Sequence, residues 1–150
     1  MAWEDFRHRV DLRVRWAEVD MQAVVFNGHY LTYCDICLTE YWRAIGVHYP
    51  RDFLDEGSDT YVRKATVEYH APALFDDELA LCGRVARLGR TSLSFRVGMF
   101  RRGQHDRSLI DAELVYVNAS TGSKTPVPWT PRFRDCVRGF EIVAPEEAHG

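Results

Sequence analysis

Residues 16–46 read WAEVDMQAVVFNGHYLTYCDICLTEYWRAIG. An acid, Asp20, stands where a strand-like segment gives way to a short loop. The loop ends on Asn27-Gly28, residues favoured at helix N-termini. From there the pattern predicts a helix to about Ile45, stopped by Gly46 in a left-handed conformation. Its apolar positions, from Tyr30 and Leu31 through Cys34, Ile36 and Leu38 to Trp42 and Ile45, spread beyond the stripe of about 100° that a surface helix shows. The expectation is a helix covered on most sides, by a curling sheet or by a partner subunit. A carboxylate facing a helix N-terminus is also a reaction geometry, because free backbone N–H groups there can hold a developing oxyanion.

Outward from this stretch the chain reads mostly as strands. Arg9 to Trp16 alternates, with Val10, Leu12, Val14 and Trp16 on one face and Arg9, Asp11, Arg13 and Arg15 on the other. Residues 47–59 read as a loop or short helical turn. Strands are expected over Thr60–His70, Leu79–Leu88, Thr91–Phe100 and Ser108–Asn118, punctuated by Ala71-Pro72, Phe75–Glu78, Gly89-Arg90 and Arg101–Asp106. A proline-rich connector then leads to a short helix around Arg132–Val137. One strand, one long buried helix and four antiparallel strands make an α+β chain, a sheet wrapped around a central helix in a single domain over 1–150.

Composition narrows the function. At 150 residues, 46% hydrophobic and 27% charged, the chain is long enough for a real core. A net charge of -3 gives no reason to expect nucleic acid. The opening MAWEDFRHRV lacks the apolar run of a signal peptide, and no run approaches the roughly 18 apolar residues of a membrane span. The expectation is a cytoplasmic protein. Cys34-x-x-Cys37 falls inside the helix on its apolar face, where cysteine acts as a small hydrophobe rather than a metal or redox pair. No phosphate loop, HExxH or Gly-x-Ser-x-Gly elbow occurs. No metal and no separate cofactor are expected.

The order of elements, with Glu18-Val19-Asp20, Val24-Val25-Phe26-Asn27 and Tyr30-Leu31, resembles the hotdog-fold acyl-CoA thioesterases. It is most similar to the branch that includes 4-hydroxybenzoyl-CoA thioesterase and the small Tol-Pal-associated thioesterases. The run Lys124-Thr125-Pro126-Val127-Pro128 after the last strand also fits. The resemblance implies that Asp20 is the nucleophile or general base. It implies that the amide of Asn27 polarises the thioester carbonyl, and that Phe26, Gly28, His29 and Tyr30 border the substrate. It further implies an acyl-CoA substrate, whose coenzyme A is not a resident cofactor, and a homo-oligomer, dimer or tetramer, with the homotetramer favoured. Arg87, Arg90, Arg101 and Arg102 are candidate partners for the coenzyme A phosphates.

The residues alone leave other readings open. Asp20 could be a turn acid, Asn27 a helix cap and His29 a surface residue. Glu40 and Asp35 are alternative acids on the helix. The Met21-Gln22-Ala23 loop, bulkier than the small residues usual in the family, suits a non-catalytic acyl-CoA binding or sensing domain. A hydratase or dehydratase fits less well, since Val25 stands where such enzymes carry histidine.

Overall fold

The alternating segments pair into one antiparallel sheet. In the computed structural model, which describes residues 1–147, β1 (His8–Arg13) is followed by α1 (His29–Ile45), α2 (Arg51–Leu54) and β2 (Ser58–Tyr69). Then come β3 (Glu78–Leu88), β4 (Ser92–Arg101), β5 (Ile110–Ser120), α3 (Pro131–Phe140) and β6 (Glu146–Glu147). The sheet runs β1-β3-β4-β5-β2. The short β6, not foreseen from the sequence, adds to β3 in parallel at Arg87 and Leu88, beyond the stretch that pairs with β1. The architecture is α+β, with α1 lying in the sheet's concave face.

The inner face of the sheet follows period two. Leu93, Phe95, Val97 and Met99 of β4 and Ile110, Ala112, Leu114 and Tyr116 of β5 are buried beneath the helix. Burial on α1 falls at Tyr30, Tyr33, Cys34, Cys37, Leu38, Tyr41, Trp42 and Ile45. That is the three-and-four spacing of one broad stripe. Within the chain one side of the helix stays open: Leu31 is exposed, and Thr32, Asp35, Thr39 and Arg43 share that side. Close approach to β3 depends on Gly83, where a Cβ would lie 2.4 Å from the Phe95 ring and 2.7 Å from Cys37 Sγ.

The helix ends as expected. Gly46 takes φ 86°, its N–H donates to Arg43 O, and the Val47 N–H returns to Trp42 O at 2.8 Å, a Schellman closure. Helix α2 contributes Phe53, and α3 contributes Phe133, to an aromatic group around Trp42. Helix α3 starts one residue earlier and ends three residues later than expected; its start is set by Thr130 Oγ1, which caps the Phe133 N–H at 3.1 Å, and by Pro131 in its first turn.

Two further features differ from expectation. Strand β1 ends at Arg13, and Trp16 opens a 3-10 turn (Trp16–Glu18) with its ring 78% exposed, so it is not part of the apolar face of β1. On the outer face of the sheet the N-terminal segment builds a second small core, in which Phe6 and Trp3 cover Ala80, Cys82 and Phe100. Strand β2 is a long edge, exposed over most of its twelve residues and bulged between Val62 and Lys64. Among the described residues no helix is long and apolar enough to cross a membrane.

Candidate active site

After the Trp16–Glu18 turn the chain forms a small two-armed ribbon that determines where Asp20 stands. The Phe26 N–H donates to Glu18 O at 2.9 Å, Val19 bridges Val25, and the Asp20 N–H donates to Val24 O at 2.9 Å. The tip is closed by the Ala23 N–H on Asp20 O, with Ala23 at φ 61°. Asp20 Oδ1 accepts the Gln22 N–H at 2.8 Å. Its Oδ2 has no hydrogen-bond partner among the described residues, so one carboxylate oxygen is tethered and the other is free.

The ribbon also locates the loop's bulk. Met21, Gln22 and Ala23 are all exposed, and Met21 projects wholly into solvent. The Met21-Gln22-Ala23 segment therefore does not fill the space beside Asp20 within the chain.

The second arm runs straight into α1. Gly28 is its N-cap, at φ -69° and ψ -24°, without any side-chain cap. The Asn27 side chain makes no hydrogen bond among the described residues, so it does not cap the helix as its residue type suggested. What the helix end offers is backbone: the N–H groups of Asn27 and Gly28 have no partner within the described chain, as the first amides of a helix often do not. At about 3.3 Å per residue the ribbon separates the levels of Asp20 and Asn27 by roughly 10 Å.

Phe26, half exposed, meets His29 edge to face with ring centroids 5.9 Å apart. Tyr30 is buried, and its hydroxyl accepts the Ala73 N–H at 3.1 Å. Burial raises the Tyr30 hydroxyl above its ordinary pKa; the Ala73 bond opposes this, and the charges of Tyr69, Asp20 and Asp77 add to it. Tyr69 closes the far side, its hydroxyl donating to Asn27 O at 3.3 Å. An open groove of about 250 Å³ lies here, bordered by Val25, Asn27, Tyr30, Tyr69, His70, Ala71 and Pro72.

Beneath the ribbon is a residue that the sequence offered only as part of a motif. Glu18 is 4% exposed. Its Oε1 accepts the Arg15 N–H at 2.8 Å and the Tyr33 hydroxyl at 2.9 Å, and its Oε2 accepts both Nε and Nη2 of Arg15 at 3.2 and 2.9 Å. Burial pushes the Glu18 carboxyl up, but these donors outweigh it and hold the group below the ordinary glutamate value.

The other candidates are placed elsewhere. Glu40 pairs with Arg43 at 2.5 Å, one helical turn apart, and Asp35 is exposed on the open side of α1. Arg101 is bound to Asp77 and Pro72 O, and Arg102 to Glu78, so neither is a free phosphate partner within the chain. Cys34 and Cys37 are buried, and burial pushes the Cys34 thiol up to about 12 and Cys37 higher than its ordinary value, which suits packing and not metal or redox chemistry. Glu68, His70 and Asp111 bring ligand-type atoms within 4.8 Å of one another. Glu68 and His70 of that group are exposed, Asp111 is partly buried, and pairing explains them, since His70 Nε2 lies 3.0 Å and the N-terminal ammonium 3.7 Å from the Asp111 carboxylate.

Known proteins resemble this chain in sequence and in fold. Residues 22–108, more than half of the chain and beginning two residues past Asp20, match the family model described as Thioesterase superfamily. The chain is 34% identical over 88 residues to the acyl-CoA thioester hydrolase YbgC of Escherichia coli O157:H7, a match covering 58% of this chain and 64% of that protein. The chain thus matches just under two thirds of the length of that curated relative. Among solved structures, a Pseudomonas aeruginosa protein superposes with a TM-score of 0.81 at 24% identity, covering 94% of this chain and 96% of that one. A 1,4-dihydroxy-2-naphthoyl-CoA thioesterase from Synechocystis gives 0.78 at 14% identity, over 87% of this chain and 94% of that one. These likenesses establish the hotdog fold.

Proposed function

Since this chain belongs to the thioesterase superfamily, we propose that it hydrolyses an acyl-CoA thioester to the free acid and coenzyme A, with Asp20 as the reacting carboxylate. The observation that carries this reading is the ribbon itself. One arm ends on a carboxylate with a free oxygen, and the other ends on two unpartnered backbone N–H groups at the start of α1.

The chemistry follows from that pairing. As general base, the Asp20 carboxylate takes a proton from water while the water oxygen bonds to the thioester carbon. As nucleophile, it bonds to that carbon itself, and water later cleaves the anhydride. In either case negative charge develops on the carbonyl oxygen, and N–H donors at Asn27 and Gly28 would meet it. One such donor typically contributes a few kcal/mol of barrier reduction. The C–S bond then breaks, and the coenzyme A thiolate leaves and is protonated. Phe26 and His29 flank the Asn27-Gly28 amides in the chain, where the substrate would pass, and Tyr30 forms part of the groove wall. The reaction needs no resident cofactor or metal.

The proposal includes a cytoplasmic homo-oligomer, dimer or tetramer. Strand β2 leaves an edge of twelve residues with Tyr61, Val62 and Tyr69 exposed, and natural proteins seldom leave so long an edge unpaired. Sedimentation should show an oligomer; a strict monomer at micromolar concentration would count against that part. The function is tested by thiol release from short-, medium- and long-chain and aryl-CoA substrates. Turnover of at least one class supports it, and saturable binding without thiol release from any would contradict it.

A further inference from the structure

Resting on that reading of Asp20, we infer that Glu18 is a positioning residue, whose buried carboxylate sets the distance between the reacting acid and the N–H groups of the helix. The ribbon has two arms, and Glu18 is fastened to both sides of it. Its carbonyl oxygen accepts the Phe26 N–H, the residue immediately before Asn27. Its own N–H returns to Arg15 O at 3.0 Å, fixing the turn that delivers Asp20. Its carboxylate reaches the Tyr33 hydroxyl, in the second turn of α1, while three further bonds bind the Arg15 backbone and guanidinium.

Four hydrogen bonds on one nearly inaccessible carboxylate are more than a surface turn requires. Arg15 itself is mostly exposed, 74% in its side chain, so the pair is not a burial device for the arginine. The arrangement is a rigid strut from the end of β1 to the body of α1. Asp20 is two residues along one arm from it, and Asn27 one residue beyond its bond to Phe26. A displacement of about 1 Å between reacting groups can cost about a hundredfold in rate, so a strut at this point acts on the chemistry without touching substrate.

The spacing acid-x-Asp also acquires a physical reason. On an extended segment residues i and i+2 share a face, but the 3-10 turn ends at Glu18, and the ribbon begins immediately after it. The first acid therefore turns inward to bind the helix while the second stays at the ribbon with a free oxygen.

The test compares Glu18→Gln, Tyr33→Phe and Asp20→Asn with the double variant Glu18→Gln/Asp20→Asn. Glu18→Gln keeps the shape but cannot accept from Arg15 with both ends. Its kcat should fall about ten- to a hundredfold with KM within about threefold. Tyr33→Phe, which loses one bond of the four, should fall less in the same direction. In the double variant, Glu18→Gln should cost clearly less than it does alone, because much of its effect runs through the same group. Amide exchange at Phe26 and Gln22 should quicken in folded Glu18→Gln, independently of any assay.

Full kcat in folded Glu18→Gln beside an impaired Asp20→Asn would overturn this inference alone. So would a loss as large in the Asp20→Asn background as in the wild type. Full activity of Asp20→Asn would instead overturn the reading of the reaction. If Glu18→Gln fails to fold, the split between kcat and KM in Tyr33→Phe decides, and wild-type kcat there overturns the inference.

Discussion

The Tyr69 hydroxyl donates to Asn27 O over 3.3 Å, so the last residue of the edge strand holds the peptide that opens α1. That carbonyl belongs to the Asn27–Gly28 peptide, and in a trans peptide the N–H points opposite to the C=O. Fixing the carbonyl therefore aims the Gly28 N–H. Tyr69→Phe should lower kcat about three- to tenfold while costing about 1 kcal/mol of stability, the usual worth of one hydrogen bond. Steady-state thiol release and urea unfolding measure the two effects; unchanged kcat would remove Tyr69 from the aim of the amide.

Two glycines make contrasting predictions. At Gly83 a methyl would be driven into Phe95 and Cys37, both buried, so Gly83→Ala should destabilise by about 1–3 kcal/mol through overpacking. At Gly46 nothing lies within 4 Å, and only the φ of 86° resists a side chain. Gly46→Ala should cost about 1 kcal/mol. Denaturant midpoints at constant m-value check both, and the order should be Gly83 above Gly46.

Burial raises the Glu141 carboxyl above its ordinary value, although the Tyr41 hydroxyl at 2.6 Å and the Val85 N–H at 2.8 Å favour the charged form. With a raised folded pKa, the folded state keeps a proton that the unfolded chain has lost. This group's contribution is full below the ordinary glutamate value near 4.5 and fades as pH rises through the raised folded value. Glu141→Gln, whose amide oxygen can accept both bonds, removes that dependence. The stability of wild type relative to Glu141→Gln should fall as pH rises across this window, measured by urea unfolding at a series of pH values. A flat difference would show that Glu141 titrates normally.

Thiol reactivity tests the packing of α1. Cys34, Cys37 and Cys82 are buried, with the Cys34 and Cys82 thiols each pushed up to about 12, whereas Cys136 on α3 is partly exposed. One thiol of the four should react with an aromatic disulfide reagent in the native protein, and all four after denaturation. Rapid reaction of two or more native thiols would contradict the buried arrangement.

Much of the fold was legible because period two and period 3.6 leave plain marks on β4, β5 and α1. The apolar excess on α1 overstated its burial within the chain, however. Leu31 lies off the buried stripe, and Ile36 is only partly buried, but in a sequence both count as strongly as Tyr33. Trp16 misled in the same way, because alternation ran on past Arg13 although the chain had already entered a 3-10 turn. Asp20 was singled out by the motif around it. The bonds on Glu18 could not be read from the sequence, because its partners Arg15, Tyr33 and Phe26 converge only once the ribbon folds. Asn27 carried a cap signal in its side chain, while the structure offers its backbone amide instead.

Whether Asp20 carries the chemistry is read most directly from single-turnover thiol release by Asp20→Asn on the best substrate of the wild-type protein. The expected loss is about a hundredfold or more in rate, with substrate still bound and the unfolding midpoint within a few degrees of wild type. A variant that releases coenzyme A at the wild-type rate would contradict it.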